Sequence, residues 1–131
     1  MVEKYLAHLE NDLGKVHNLD DHLRCVGKIA KNFIEKANPE LAEQANWAGL
    51  LHDLGKYRDE FQAYMKSEGK IKSSSETHHA IYGAALALKK NWNMLAFAIA
   101  AHHTGLHNYE DLKNTLTDNG RINYGFKNSK I

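Results

Sequence analysis

Trp47-Ala-Gly-Leu-Leu-His-Asp-Leu-Gly-Lys56 puts an imidazole and a carboxylate, His52 and Asp53, at the end of an otherwise apolar run. A carboxylate in that setting loses hydration and must be offset by a paired charge, hydrogen bonds or a bound cation. Upstream, Leu41, Ala45, Ala48 and Leu51 recur at helical spacing, Pro39 suits a first turn and Gly55 is expected to stop the helix. His52 shares a face with Leu41, Ala45 and Ala48, so its ring should point inward. For one such histidine a hydrogen-bonded core role is the ordinary explanation. The case for chemistry depends on what joins it.

Working outward, Leu19, Leu23, Val26, Ala30, Phe33, Ile34 and Ala37 predict an amphipathic helix ended by Asn38-Pro39. On it His22 shares a face with Val26, Ile29 and Phe33, again a mostly apolar setting. A third helix is expected over residues 59–66, with Phe61 in the core and Gln62 on the surface, then an exposed loop over 67–77 with Gly69 and three consecutive serines. Helical patterns resume over 78–90 and 94–103, separated by Asn91 and Asn93, with a further short helix over 109–116. No stretch alternates with period two, so no sheet is required and the fold class is all-α. His79 opens a helix with Gly83 four residues on, where a missing side chain would leave room at a site. His102-His103 closes the most hydrophobic helix after Phe97-Ala-Ile-Ala-Ala; two adjacent helix-terminal imidazoles are poor core material and good ligands.

Bulk properties set the bounds. With 131 residues and 43% apolar content the chain suits one domain spanning 1–131. Lys and Arg total 17 against 16 Asp and Glu, a net charge of +1, so nucleic-acid binding would have to come from local chemistry. Residues 119–131 carry Arg121, Lys127 and Lys130 without an acid and read as a solvated tail. A lone Cys25 allows no internal disulfide, the opening residues lack a signal-peptide core, and the longest apolar run, 94–101, is too short to cross a bilayer; a cytoplasmic protein without a membrane partner is expected. Nine histidines are the compositional oddity and point to metal.

His22, His52, Asp53, His79, His102 and His103 therefore form the candidate metal ligands, while His8, His17 and His107 read as structural or exposed and His78 as less well spaced than His79. Nitrogen-rich ligation suits Mn, Fe, Co, Ni or Zn better than Mg or Ca. Asp53, with two oxygens, is the residue able to bridge a pair of cations. Paired ions about 3.5–4 Å apart activate water and steady charge at phosphorus, so the chemistry expected is phosphoester hydrolysis. Because ligating imidazoles must be neutral, metal binding should weaken as pH falls through the histidine range.

Leu50-Leu-His-Asp-Leu-Gly-Lys56 followed by Glu60-Phe-Gln62 closely resembles the HD nuclease of the type I CRISPR interference machinery. His22-Leu23, within Leu19-Asp-Asp-His-Leu, resembles that family's first-helix histidine motif. His79-Ala-Ile-Tyr-Gly-Ala84 is similar to its helix-opening His with Gly-Ala, and Ala100-Ala-His-His-Thr-Gly-Leu106 to its paired-histidine motif. The four motifs fall in order over residues 19–107. The resemblance implies an all-helical, single HD-type domain with a two-metal site that cuts single-stranded DNA. It would work beside a helicase, as a separate subunit or an additional domain, and be recruited by an RNA-guided surveillance complex. Carried over, His22, His52 and Asp53 hold one metal, and Asp53, His79, His102 and His103 the other. Lys56 faces phosphate as a catalytic stabiliser or proton donor, or else is a helix-terminal cation. The family adds a downstream aspartate to the first metal; here only Asp111 and Asp118 lie in that direction, outside any recognisable motif, as in a chain lacking part of its C-terminal region. No Gly-x-x-x-x-Gly-Lys-Ser/Thr phosphate loop occurs in these residues, so none of them is expected to form the helicase motor.

Two other readings fit the same residues: an HD phosphohydrolase acting on nucleotides or cyclic dinucleotides, and a non-catalytic HD binding module. Against a branch with Asp-Gly-x-Gly-Tyr-Pro after its histidine pair, the chain has Thr104-Gly-Leu-His-Asn. Lys56, Arg58, Lys66, Lys70 and Lys72, with Tyr57 and Tyr64, would form a basic rim guiding a single strand by charge and stacking.

Overall fold

The computed structural model describes residues 5–9, 16–68, 70–71, 79–106 and 108–117, except for the side chains of His103, Thr104 and Thr117. The expectations for His78, Lys72, His107, Asp118 and the tail fall outside these residues.

Six α-helices make up the described architecture: α1 (Leu19–Glu35), α2 (Ala42–Leu51), α3 (Asp59–Lys66), α4 (His79–Lys89), α5 (Asn93–Thr104) and α6 (Tyr109–Thr117). Short 3₁₀ turns at Pro39–Leu41 and Leu54–Tyr57 lead into and away from α2. Asn18 starts α1 by accepting the Asp20 N–H at 2.9 Å, with Asp20 and Asp21 favourably placed at the positive end of the helix dipole. Asn38 caps the Pro39 turn through the Glu40 N–H in the same way.

The α1 and α2 backbones nearly touch, because a side-chain carbon on Gly49 would lie 2.4 Å from the Gly27 Cα. The main core gathers Leu51, Leu95, Ile99, Leu112 and Leu116 around a run of buried alanines on α4 and α5, small side chains that let those two helices pack closely. A second cluster, Ala7, Leu19 and Leu23, sits under Tyr5, Leu50 and Tyr57. No helix among the described residues is long and apolar enough to cross a membrane.

The fold is the helical one expected, with four local differences. Residues 6–8 and 17–18 pair as a small antiparallel ribbon, β1 with β2. Strands this short have no room to alternate, and what holds β1 is a side chain: Gln62 Oε1 accepts the Leu6 N–H at 2.9 Å while its Nε2 donates to the Leu6 carbonyl at 2.9 Å. Gln62 is thus buried, not on the surface, and its Nε2 also donates to the Lys56 carbonyl at 2.8 Å. Helix α1 buries Leu19, Leu23 and Gly27, leaving Ile29 and Phe33 exposed, so His22 lies at the edge of the buried stripe and not along an apolar face. Finally, α2 ends at Leu51, ahead of Gly55, because Asp53 leaves the helical region (φ −114°, ψ 20°) and the chain tightens into the next turn.

Candidate metal centre

The centre begins with a helix end. The last carbonyls of a helix have no partner within it, and His52, capping α2, donates from Nδ1 to the Gly49 carbonyl at 2.6 Å. His102, in the last turn of α5, does the same to the Ile99 carbonyl at 2.5 Å. A carbonyl only accepts, so in both rings Nδ1 carries the hydrogen and Nε2 is left as the ligating nitrogen.

Both Nε2 atoms face Asp53, which is only 4% exposed. Its Oδ2 lies 3.2 Å from His52 Nε2, 3.4 Å from His22 Nε2 and 2.9 Å from Lys56 Nζ. Its Oδ1 lies 3.1 Å from His79 Nε2 and 3.3 Å from His102 Nε2. The ligand atoms of His22, His52 and Asp53 all fall within 4.8 Å of one another, as do those of Asp53, His79 and His102. Four helix termini or faces converge here: His22 from α1, His52 and Asp53 from the end of α2, His79 as the first residue of α4, His102 from α5.

This donor set fits cations. With Nδ1 protonated, the Nε2 lone pairs of neutral His52 and His102 point at carboxylate lone pairs, an arrangement that is repulsive unless a proton or a cation lies between them. Burial pushes the Asp53 carboxyl up, yet hydrogen bonds from His102, His52 and His79 outweigh it and hold the group far below the usual carboxylate range. Burial pulls His102 down, but the Asp53 and Ile99 hydrogen bonds raise it above the ordinary imidazole value. His22 is lowered by burial, with Asp53 opposing. Nitrogen-rich triads sharing one carboxylate match the preferences of first-row transition ions.

Gly83 serves the site differently from the expectation. A side-chain carbon there would lie 1.8 Å from the Leu51 carbonyl oxygen, so its bareness admits the α2 backbone, not a ligand, and brings α4 with His79 against the His52-Asp53 end. Phe61, buried as expected, sets its ring edgewise 5.0 Å from that of His79.

Lys56 is likewise turned inward. It is 6% exposed, and beside Asp53 its ammonium donates to the Ala7 carbonyl of β1 at 3.2 Å. It therefore stabilises the carboxylate and ties it to β1. Arg58 is also withdrawn from the expected basic rim, its guanidinium lying 4.7 Å over the Tyr82 ring, whereas Lys66 and Lys70 are exposed. Tyr57 packs edgewise on Tyr5. Asp111 stays at the start of α6, bonded to Asn108, and belongs to neither triad. His103 lies in α5, its side chain outside the described residues.

His8 is exposed, one of the two settings expected of it, but its place beside His22 was not legible: its ring stands edge-on to that of His22, centroids 5.2 Å apart. A strand of three residues carries no periodicity that would have marked it. On the His22 side a cavity of about 570 Å³ opens, lined also by His17, Asp21, Cys25 and Val26.

A search of curated proteins returned no match. The family profile described as the HD domain matches residues 19–123, which takes in every residue of both triads. The chain belongs to the HD domain family, whose members are typically metal-dependent phosphohydrolases.

Proposed function

We propose that the chain is a two-cation HD phosphodiesterase that cuts single-stranded DNA in CRISPR interference, working with a helicase and an RNA-guided surveillance complex. The observation that carries the chemistry is the division of one buried carboxylate, Oδ2 toward His22 and His52 and Oδ1 toward His79 and His102. His22, His52 and Asp53 would hold one ion; Asp53, His79 and His102 the other, with His103 added by the family resemblance. When bound, such ions supply the positive charge that acidifies a water and offsets charge growing on phosphoryl oxygens.

The chain's own residues set the geometry for that chemistry. The Gly49 and Ile99 carbonyls fix the ring orientation of His52 and His102, and Lys56, bonded to both Asp53 and the Ala7 carbonyl, holds the carboxylate in place. The cavity beside His22, lined by residues of β2 and α1, would give a strand room next to that ligand. The order of the four motifs supports DNA over a mononucleotide, and exposed Lys66 and Lys70 supply charge for a phosphate backbone.

The test is hydrolysis by the purified chain with Mn, Co, Ni or Mg supplied in turn, on labelled single-stranded DNA, duplex DNA and a panel of nucleotides. Single-strand cutting that needs a transition ion is the expected result. Nucleotide turnover alone would move the assignment to a nucleotide phosphohydrolase, and silence with no bound metal to a binding module.

A further inference from the structure

We propose that His8 is a further ligand to the cation held by His22, His52 and Asp53, so that the N-terminal strand completes that half of the centre. The proposal rests on reading the triad as a cation site.

The backbone beside His8 is fixed by polar groups from deep in the protein. Gln62, 5% exposed, satisfies both backbone groups of Leu6. Lys56 spans the gap between the Ala7 carbonyl and Asp53 Oδ2, and the Leu19 N–H donates to the Tyr5 carbonyl at 2.8 Å. One buried lysine thus connects the residue before His8 to the carboxylate at the heart of the site. Unmaking any of these bonds would strand a buried polar group, so the position of the His8 backbone relative to His22 is well defined.

The spacing allows a shared ion and equally fits ordinary ring packing, since His52 and His102, in different triads, stand 5.4 Å apart as well. Imidazole nitrogens about 2.0–2.1 Å from one ion place their ring centres roughly 5 Å apart. Within the triads the ring centroids are 5.3 Å apart for His22 and His52 and 5.8 Å for His79 and His102. His8 stands 5.2 Å from His22, as close as any of these. Its nitrogens are outside the tight triad. Its residue is exposed, so ligation requires the ring to turn inward about its side-chain torsions while the backbone stays clamped. Need and position also agree. The Oδ2 triad offers one carboxylate and two imidazoles, Lys56 is paired with the same oxygen, and His8 stands beside His22.

Cobalt(II) titration of the full chain, followed by visible absorption and by metal analysis after desalting, tests this independently of catalysis. The wild type should take up two ions. His8→Ala should bind one of them at least about ten-fold more weakly and alter the cobalt ligand-field bands, while His17→Ala does neither. His8→Cys should restore binding and add a thiolate-to-cobalt charge-transfer band, the mark of direct ligation that a merely structural role would not give. Asp53→Ala controls the underlying reading: retention of both ions there, or no uptake by the wild type, would remove the cation site itself and His8 with it. Loss in Asp53→Ala combined with wild-type affinity and spectrum in His8→Ala, and no new band in His8→Cys, would overturn the His8 assignment alone.

Discussion

The two sides of Asp53 are built differently. On the Oδ1 side His79 is 3% exposed, its ring backed by Phe61, while His102 is 23% exposed, and no ammonium is paired with that oxygen among the described residues. On the Oδ2 side His22 and His52 are 18% and 20% exposed, a cavity opens, and the Lys56 ammonium already sits 2.9 Å from the oxygen. A cation entering there must share its carboxylate oxygen with a fixed positive charge in a poorly screened setting. The Oδ1 side, without that competing ammonium, should therefore fill first and hold its ion more tightly, and the Oδ2 side should bind more weakly. On the proposed two-cation reading, the same carboxylate would anchor one ion and admit another.

The largest effect expected of any substitution is that of Asp53→Ala, which removes the ligand common to both sides. Hydrolysis should fall to background, a loss on the order of 10³-fold or more, and metal analysis should find neither ion. Gly83→Ala comes next and strikes the Oδ1 side. With 1.8 Å between the new carbon and the Leu51 carbonyl, α4 must shift, costing roughly 1–3 kcal/mol in a denaturant titration and weakening the Oδ1 ion first. Gln62→Ala strikes the other side. It strands the Leu6 N–H and carbonyl at a similar cost, roughly 1–3 kcal/mol, but loosens β1 and should weaken the Oδ2 ion while the Oδ1 ion stays bound. If both variants weakened the same ion, the contrast between the sides would be broken. At the small end, Phe33→Lys, at a side chain 81% exposed on α1, should change stability by no more than about 0.5 kcal/mol and leave both ions in place.

What the sequence made legible follows from the range of the interactions involved. The helices were readable because each is written locally, in apolar spacing and in punctuation such as Asn38-Pro39 and Asn91. His52 with Asp53, and the spacing of His22, His79 and His102, could be singled out for the same reason, and these side chains meet around Asp53. The buried settings of Lys56 and Gln62, and the place of His8 beside His22, were not legible because their surroundings come from distant parts of the chain. Lys56 bonds to Ala7 across 49 positions and Gln62 to Leu6 across 56. A three-residue strand clamped by a buried amide leaves no pattern in its own residues. The direction of the α1 apolar stripe failed on a subtler point, since Ile29 and Phe33 fit the helical period yet lie beyond the line of Leu19, Leu23 and Gly27 that meets α2.

The most direct measurement is anomalous diffraction from a crystal of the chain soaked with manganese. Two peaks about 3.5–4 Å apart, one on each oxygen of Asp53 and the His79 side more fully occupied, are the predicted result. A single peak, or peaks away from Asp53, would contradict the bridged centre.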